Sequence, residues 1–438
     1  MLKSILILLL GTAHAARAAD AQVVFAPESE TPQPSKLEHA VDNAILAALE
    51  VHSDPVAALI SLDPENELLL AQPRLLRVLG DDSEPQWMTE GDKLRLRRQG
   101  KNFMDITDHE EFYADQIHTL TAGKPHLPEL VHESLIRPLF SKVNQPRMAD
   151  VLHHMTGYYN RYYGDIHGEL SSEWLHEHIA EIIAKSPFRT HISLEYFTHP
   201  FPQSSIIARF EPKVRNASAP LTILGAHQDS ANYLFPLLPA PGADDDCSGT
   251  VSILEAFRIL AESGYTPMNG PVEFHWYAAE EGGLLGSQHL ARYKKEQGTV
   301  IGAMMEFDMT AFVARNATET IGFISTQADA ALTNWTVSLS EKYISIPAEI
   351  YDLGPSAGSD YMSYTQLNYP AAFASEGNPL AGGRFPGEYD PYVHSSRDTM
   401  WVNDEAGYFS VDGQHMARFT ELAIAFVVEQ AGWNNAWR

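Results

Sequence analysis

LTILGAHQDS (221–230), SGTVSILEAFRILAESG (248–264), VEFHWYAAEE (272–281), LLGSQHLARYKKE (284–296) and VIGAMMEFDMT (300–310) decide the fold. The first is a short apolar run, the length of a buried strand, ending at Gly225. The second spaces its apolar residues for a helix and closes on Gly264, a residue that tolerates the left-handed turn at a helix end. Residues 272–280 and 300–310 read as further strands, and 284–296 as a helix. Strands alternating with helices predict an α/β fold, with a mostly parallel central sheet covered by helices on both faces. Working outward, SSEWLHEHIAEIIAK (171–185) predicts a helix capped by Ser171 or Ser172, with Trp174, Ile179, Ile182 and Ile183 as its apolar positions. ALTNWTVSLSEKY (331–343) and GQHMARFTELAIAFVVEQA (413–431) predict two more helices. The alternation starts near residue 126, so 126–438 is expected to be a single domain. It contains no internal repeat and no glycine-rich phosphate loop.

In such sheets functional groups gather just beyond the C-terminal strand ends. His227-Gln228-Asp229 follows the first strand, Glu280-Glu281 the second and Asp308 the third. Asp244-Asp245-Asp246 precedes the helix 248–264, and His394 lies in the late loop YVHSSRDT (392–399). Each cluster alone reads as a surface turn or as helix-capping acids. Together at one sheet edge, several carboxylates repel one another and resist burial unless a cation compensates them. The pattern therefore points to a metal site. Because Cys247 is the single cysteine, a site built from several thiolates is excluded, and His, Asp and Glu must supply the ligands.

GAHQDS (225–230), PGADDDCSGT (241–250), AAEEGGLLGS (278–287), EFDMT (306–310) and YVHSSRDT resemble, in order, the five motifs of the secreted leucine aminopeptidases of the two-zinc peptidase family. The resemblance is specific over about 200–430 and looser over 126–200. It implies two zinc ions bridged by Asp245, one completed by His227 and Asp308, the other by Glu281 and His394. It implies Glu280 as general base and acid, and Asp229 as the group that fixes the His227 ring. Paired zinc ions share a carboxylate and a water, whose pKa falls to roughly 7. The implied reaction is release of single N-terminal residues, expected to be hydrophobic, from peptides. Met309, Phe373, Phe385, Tyr389 and Val393 are candidates for the side-chain pocket, and each reads equally well as core. The sequence departs from the family at Gly354–Asp360, where GPSAGSD replaces a Cys-Gly-Tyr-x-Cys-Ser-Asp stretch, losing both cysteines and the tyrosine. A glutaminyl cyclase on the same fold, a carboxypeptidase and a non-catalytic binding domain are the competing readings. The complete ligand set argues against the first and the last.

The N-terminus, MLKSILILLLGTAHAARAADA, carries Lys3, an apolar run from Ile5 to Leu10 and small residues after it, the pattern of a signal peptide over 1–18. Residues 19–125 are expected to be a pro-segment covering the cleft until removed, or else an attached subdomain. They contain a candidate helix near Leu37–Val51 and a basic joining stretch, KLRLRRQGKNF (93–103). Three sequons, at Asn216, Asn316 and Asn334, fit an exported glycoprotein. With 30 Lys and Arg against 57 Asp and Glu, the net charge is −27, which disfavours nucleic acid and anionic membranes as partners. The expected partners are peptides with a free N-terminus, met by a secreted monomer.

Overall fold

The computed structural model describes residues 36–81, 84–110, 124–214, 216, 218–400 and 411–434. The signal-peptide reading lies outside them. An N-terminal unit comes first: α1 (Lys36–Val51), α2 (Pro55–Leu62), α3 (Asn66–Leu70), β1 (Pro73–Val78), β2 (Gln86–Thr89), α4 (Glu90–Arg98) and β3 (Phe103–Asp105). Its strands form an antiparallel sheet in the order β2-β1-β3. The helices α5 (Glu133–Phe140), α6 (Gln145–Thr156) and α7 (Ile166–Lys185) lead into the main unit. It continues as β4 (Ile192–Phe197), β5 (Ser205–Phe210), β6 (Leu221–His227), α8 (Cys247–Glu262), β7 (Val272–Tyr277), α9 (Leu285–Glu296), β8 (Ile301–Phe307) and β9 (Ile321–Ile324). Then follow α10 (Ala330–Tyr343), β10 (Ala348–Tyr351), α11 (Tyr361–Thr365), β11 (Ala371–Glu376) and α12 (Gly413–Ala431).

The main sheet has eight strands in the order β10-β9-β11-β8-β6-β7-β5-β4. Its centre, β11-β8-β6-β7, is parallel. The pairs β11–β9, β7–β5 and β5–β4 are antiparallel. Strands buried on both faces carry apolar residues at nearly every position. Thus Leu224 and Ala226 join one core with Phe274, Trp276, Met305 and Phe307, under α8 and α12. Leu221 and Ile223 alternate to the other face, with Tyr277, Met304 and Leu290 of α9. Cys247, buried at the first position of α8, has no disulfide partner, so packing of these two cores holds the fold.

Local chemistry explains where the helix starts differ from the sequence reading. Helix α7 begins at Ile166, capped by Asp165, and Ser171 and Ser172 are buried inside it. The Ser171 hydroxyl turns back onto the Gly168 carbonyl, the alternative use of a serine that the cap reading overlooks, and the Ser172 hydroxyl donates to the Ser204 carbonyl outside the helix. Strand β6 runs past Gly225 to His227. Helix α8 stops at Glu262, with Gly264 at φ +72° just beyond.

The N-terminal unit is packed into the main one. Leu75, Leu79, Met104 and Ile106 belong to the same core cluster as Tyr277 and Leu284. Ile45, Leu59 and Leu70 pack on Phe235, Leu237 and Leu238. The Asp105 amide donates to the Gly283 carbonyl at 3.0 Å. The stretch 93–103, read from sequence as a joining segment, is mostly helix α4. Its Thr89–Asp92 capping box starts the helix, and Lys93 and Arg97 are buried rather than exposed. Lys93 is neutralised by Asp105 at 3.0 Å.

A histidine cluster sits on this junction. His199 meets His289 at 2.9 Å, and the buried His109 stacks edge-on against His289. Arg292 donates to His109, and Asp108 lies 4.0 Å from His289. Burial, with the neighbouring His289, pushes His109 and His199 down to about 3. Both therefore stay neutral in the folded protein, while the unfolded chain takes protons near 6.5. Their contribution is complete above about pH 6.5 and is lost as the pH falls toward about 3. Thermal unfolding is expected to show a midpoint that drops between pH 7 and pH 5, less steeply in His199→Gln than in the native chain. Equal slopes would remove His199 from this account.

Candidate metal centre

Four neighbouring parallel strands deliver the site from their C-terminal ends: β6 ends in His227, β7 leads to Glu280 and Glu281, β8 to Asp308, and β11 ends in Glu376. The ligand loop 242–246 is tied down from several sides. Asp246 caps α8 by accepting from the Gly249 amide at 2.8 Å. Its carboxylate also accepts from the Met309 and His227 amides, so one side chain fixes three segments. Gly249 is required there, because a Cβ would lie 2.2 Å from the Phe307 carbonyl and 2.4 Å from the Asp246 carboxylate. Ala279, Leu284, Met309 and His394, all next to or within the acidic clusters, adopt left-handed backbone, which costs on the order of 1–3 kcal/mol each.

Asp245 lies at the centre. One of its oxygens is 3.0 Å from His227 Nε2 and the other 2.8 Å from His394 Nε2. Asp308 lies 3.8 Å from His227 Nε2, and Glu281 3.7 Å from His394 Nε2. Ligand atoms of His227, Asp245 and Asp308 converge within 4.8 Å of one another, as do those of Asp245, Glu281 and His394. All five residues named from the sequence are thus brought together, in two triads sharing Asp245. His227, Asp245, Glu281 and Asp308 are buried. Glu281 Oε2 and Asp308 Oδ1 have no hydrogen-bond partner.

The electrostatics describe a site with excess negative charge. Burial raises Glu281 to about 7 and Asp308 to about 6. Burial, then the Glu281 charge, sets Glu280 well above the carboxylate range, against the opposing pull of His227. Burial alone would lower both histidines. Hydrogen bonds to Asp229 and Asp245 nevertheless carry His227 well above its ordinary value, and the Glu281 and Asp245 charges carry His394 to about 9. Cations must balance these acids, and orphaned carboxylate oxygens with imidazole Nε2 atoms are the donor set zinc takes. The residues present fit the metal.

Asp229 does more than the sequence reading gives it. His227 Nδ1 lies 3.2 Å from its main-chain oxygen and 3.4 Å from its carboxylate. The carboxylate itself accepts from the amides of Glu280 and Glu281 at 3.0 and 3.2 Å. It orients one ligand and positions the pair that contains another. Glu280 opens onto a cavity together with Asp245, Glu281, Asp308 and His394. Met309, Phe373, Phe385 and Tyr389 line it as anticipated. Val393 does not; it packs against the adjoining core. The divergent loop contributes Ala357 and Gly358 to the wall.

A model of peptidase family M28 matches residues 205–410. Leucine aminopeptidase 1 of Chaetomium globosum is 37% identical over 358 residues, 80% of this chain and 83% of that protein. The chain belongs to peptidase family M28. Leucine aminopeptidase 1 of Trichoderma harzianum is 36% identical, over 84% of this chain and 90% of its own length. The crystal structure of the Legionella pneumophila LapA aminopeptidase superposes with a TM-score of 0.67 at 26% identity, over 84% of this chain and 96% of that one. As an M28 member the chain is a peptide hydrolase, and its relatives support aminopeptidase activity. These matches cover more than residues 126–438 alone can supply, so the similarity runs into the N-terminal unit.

Three residues of this M28 site escaped the sequence reading. Tyr233 stacks flat on the His394 ring, 3.7 Å between centroids. Arg161, fully buried, donates to the carbonyls of Gln228 and Gly242 at 2.8 Å and to that of Pro241, clamping the loop after β6 to the ligand loop. Asp398 accepts from the amides of Asp244 and Asp245 at 2.8 and 3.1 Å. It stands in the same motif as His394, and that proximity was the available signal. Asp398→Asn leaves one of these amides facing a donor. Zinc affinity, read by competition with a chromophoric chelator, is expected to fall about 10- to 100-fold at near-native thermal stability. Unchanged affinity would limit Asp398 to a role in packing.

Proposed function

We propose that this chain is a two-zinc aminopeptidase that releases N-terminal hydrophobic residues from peptides. The observation that carries this is the pair of ligand triads sharing Asp245, beside Glu280 in a cavity with an apolar wall. Zinc, when bound, lowers the pKa of a water and polarises the substrate carbonyl. His227, Asp245 and Asp308 would hold one ion, and Asp245, Glu281 and His394 the other. Glu280 takes the proton from the attacking water and passes it to the departing amine. Asp229 holds the amides of both Glu280 and Glu281, and so positions the proton carrier together with the neighbouring ligand. Leu353, Phe373 and Tyr389 offer an apolar surface to the first side chain of the substrate.

Export of the chain as a monomer acting on extracellular peptides belongs to this proposal. The signal-peptide pattern and the exposed Asn216, Asn316 and Asn334 support it. Among the described residues no helix is long and apolar enough to cross a membrane. For residues 36–110 we favour an attached wall of the cavity over a removable cover. Leu79, Arg97, Asn102 and Phe103 line the cavity and leave it open, while their neighbours share the main core.

Purified protein is expected to cleave leucyl anilide, to lose that activity with a chelator and regain it with zinc, and to leave N-acetyl-leucyl anilide intact. Glu280→Gln is expected to lower kcat about 10²- to 10⁴-fold while zinc content holds. Cleavage of the acetylated substrate, or a fully active Glu280→Gln, contradicts the proposal. A chain starting at residue 124 is expected to unfold at lower temperature and to gain no activity. A gain would make residues 36–110 a cover.

A further inference from the structure

The cavity holds a cation that the mechanism does not use. Arg97, on α4, is 5% exposed and lines the cavity with Glu280, Glu281 and His394. A guanidinium buried to this degree is normally paired with a carboxylate. Among the described residues no carboxylate lies within salt-bridge distance of Arg97, and no acceptor takes a hydrogen bond from its side chain. It is held instead by aromatic faces, 5.2 Å from the Phe103 centroid and 5.5 Å from that of Tyr233. Such faces hold a guanidinium in place while leaving its N–H fork unspent. That fork matches a carboxylate in two parallel hydrogen bonds.

Tyr233 is the ring stacked on His394, so Arg97 stands one aromatic layer from the metal-facing imidazole. Two extended residues span about 7 Å, and a peptide anchored by its N-terminus at the acidic end can bring a carboxylate to this position. The one cavity therefore holds an acidic cluster suited to the ammonium of a zwitterionic substrate and a cation suited to its carboxylate.

Resting on the aminopeptidase reading, we propose that Arg97 binds the substrate carboxylate just beyond the scissile bond, and that the chain therefore favours dipeptides. The N-terminal unit would then supply a specificity residue that the main domain lacks.

The test compares kcat/KM for Leu-Gly and Leu-Gly-amide in the native chain, Arg97→Gln and Arg97→Lys. The ratio of the two substrates within one protein is independent of how much of a variant is folded. The native ratio is expected to be about 10 to 100, the range of a charged hydrogen-bonded contact, and to be expressed mainly in KM. It is expected to fall to within about threefold of unity in Arg97→Gln, with an intermediate value in Arg97→Lys, which keeps charge but not the fork. Leu-Glu-amide against Leu-Gln-amide distinguishes a side-chain carboxylate as the source. A preference confined to that pair overturns the dipeptide assignment. Native cleavage of Leu-Gly-amide keeps the aminopeptidase reading in place, so that a native ratio near unity, or one unchanged in Arg97→Gln, overturns this proposal alone. No cleavage of either substrate overturns both.

Discussion

The structure turns on one carboxylate addressed from two sides. Asp245 directs one oxygen to His227 and the other to His394, residues far apart in sequence. Placing it there requires a loop that cannot drift, and much of the surrounding architecture serves that end. Asp398 holds the loop amides, Arg161 the flanking carbonyls, and Asp246 the start of α8 together with the next two segments. Each is a buried polar side chain spent on backbone groups. That is costly unless every partner is met, and it explains why so many acids sit beneath one sheet edge.

The central fold was legible because its signals are strong and local. Runs such as LTILGAH and VIGAMMEF read as buried strands on composition, and the strand-end rule then gathers His227, Asp308 and the Glu280-Glu281 pair without knowledge of the structure. The antiparallel edge β5–β4 was not legible, since β4 is largely exposed and ISLEYF mixes both patterns. Of the supporting residues of the site, Asp229 was legible and others were not. Arg161 and Tyr233 act through long-range contacts, with backbone carbonyls and with a ring, that no spacing rule encodes. Five candidate ligands could be named because their residue types announce chemistry and their motifs resemble those of a known family. Most of the groups that hold them in place carry no such signal.

The N-terminal unit shows the same limit. KLRLRRQGKNF reads as a basic joining stretch, yet tertiary packing makes most of it a capped helix with two buried cations. Lys93 is neutralised by Asp105, and Arg97 is pressed between rings at the wall of the cavity. It shares that cavity with the acidic triads. The loop 354–360 contributes Ala357 and Gly358 to the wall, and the Asn102 side chain reaches its Ser356 carbonyl.

The central claim is that Asp245 is shared by two metal ions. Anomalous diffraction at the zinc edge from crystals of the zinc-loaded protein tests it directly. The account predicts two peaks, one between His227 and Asp308 and one between Glu281 and His394, each within bonding distance of a different Asp245 oxygen. A single peak, or two peaks with Asp245 bound to only one of them, would contradict it.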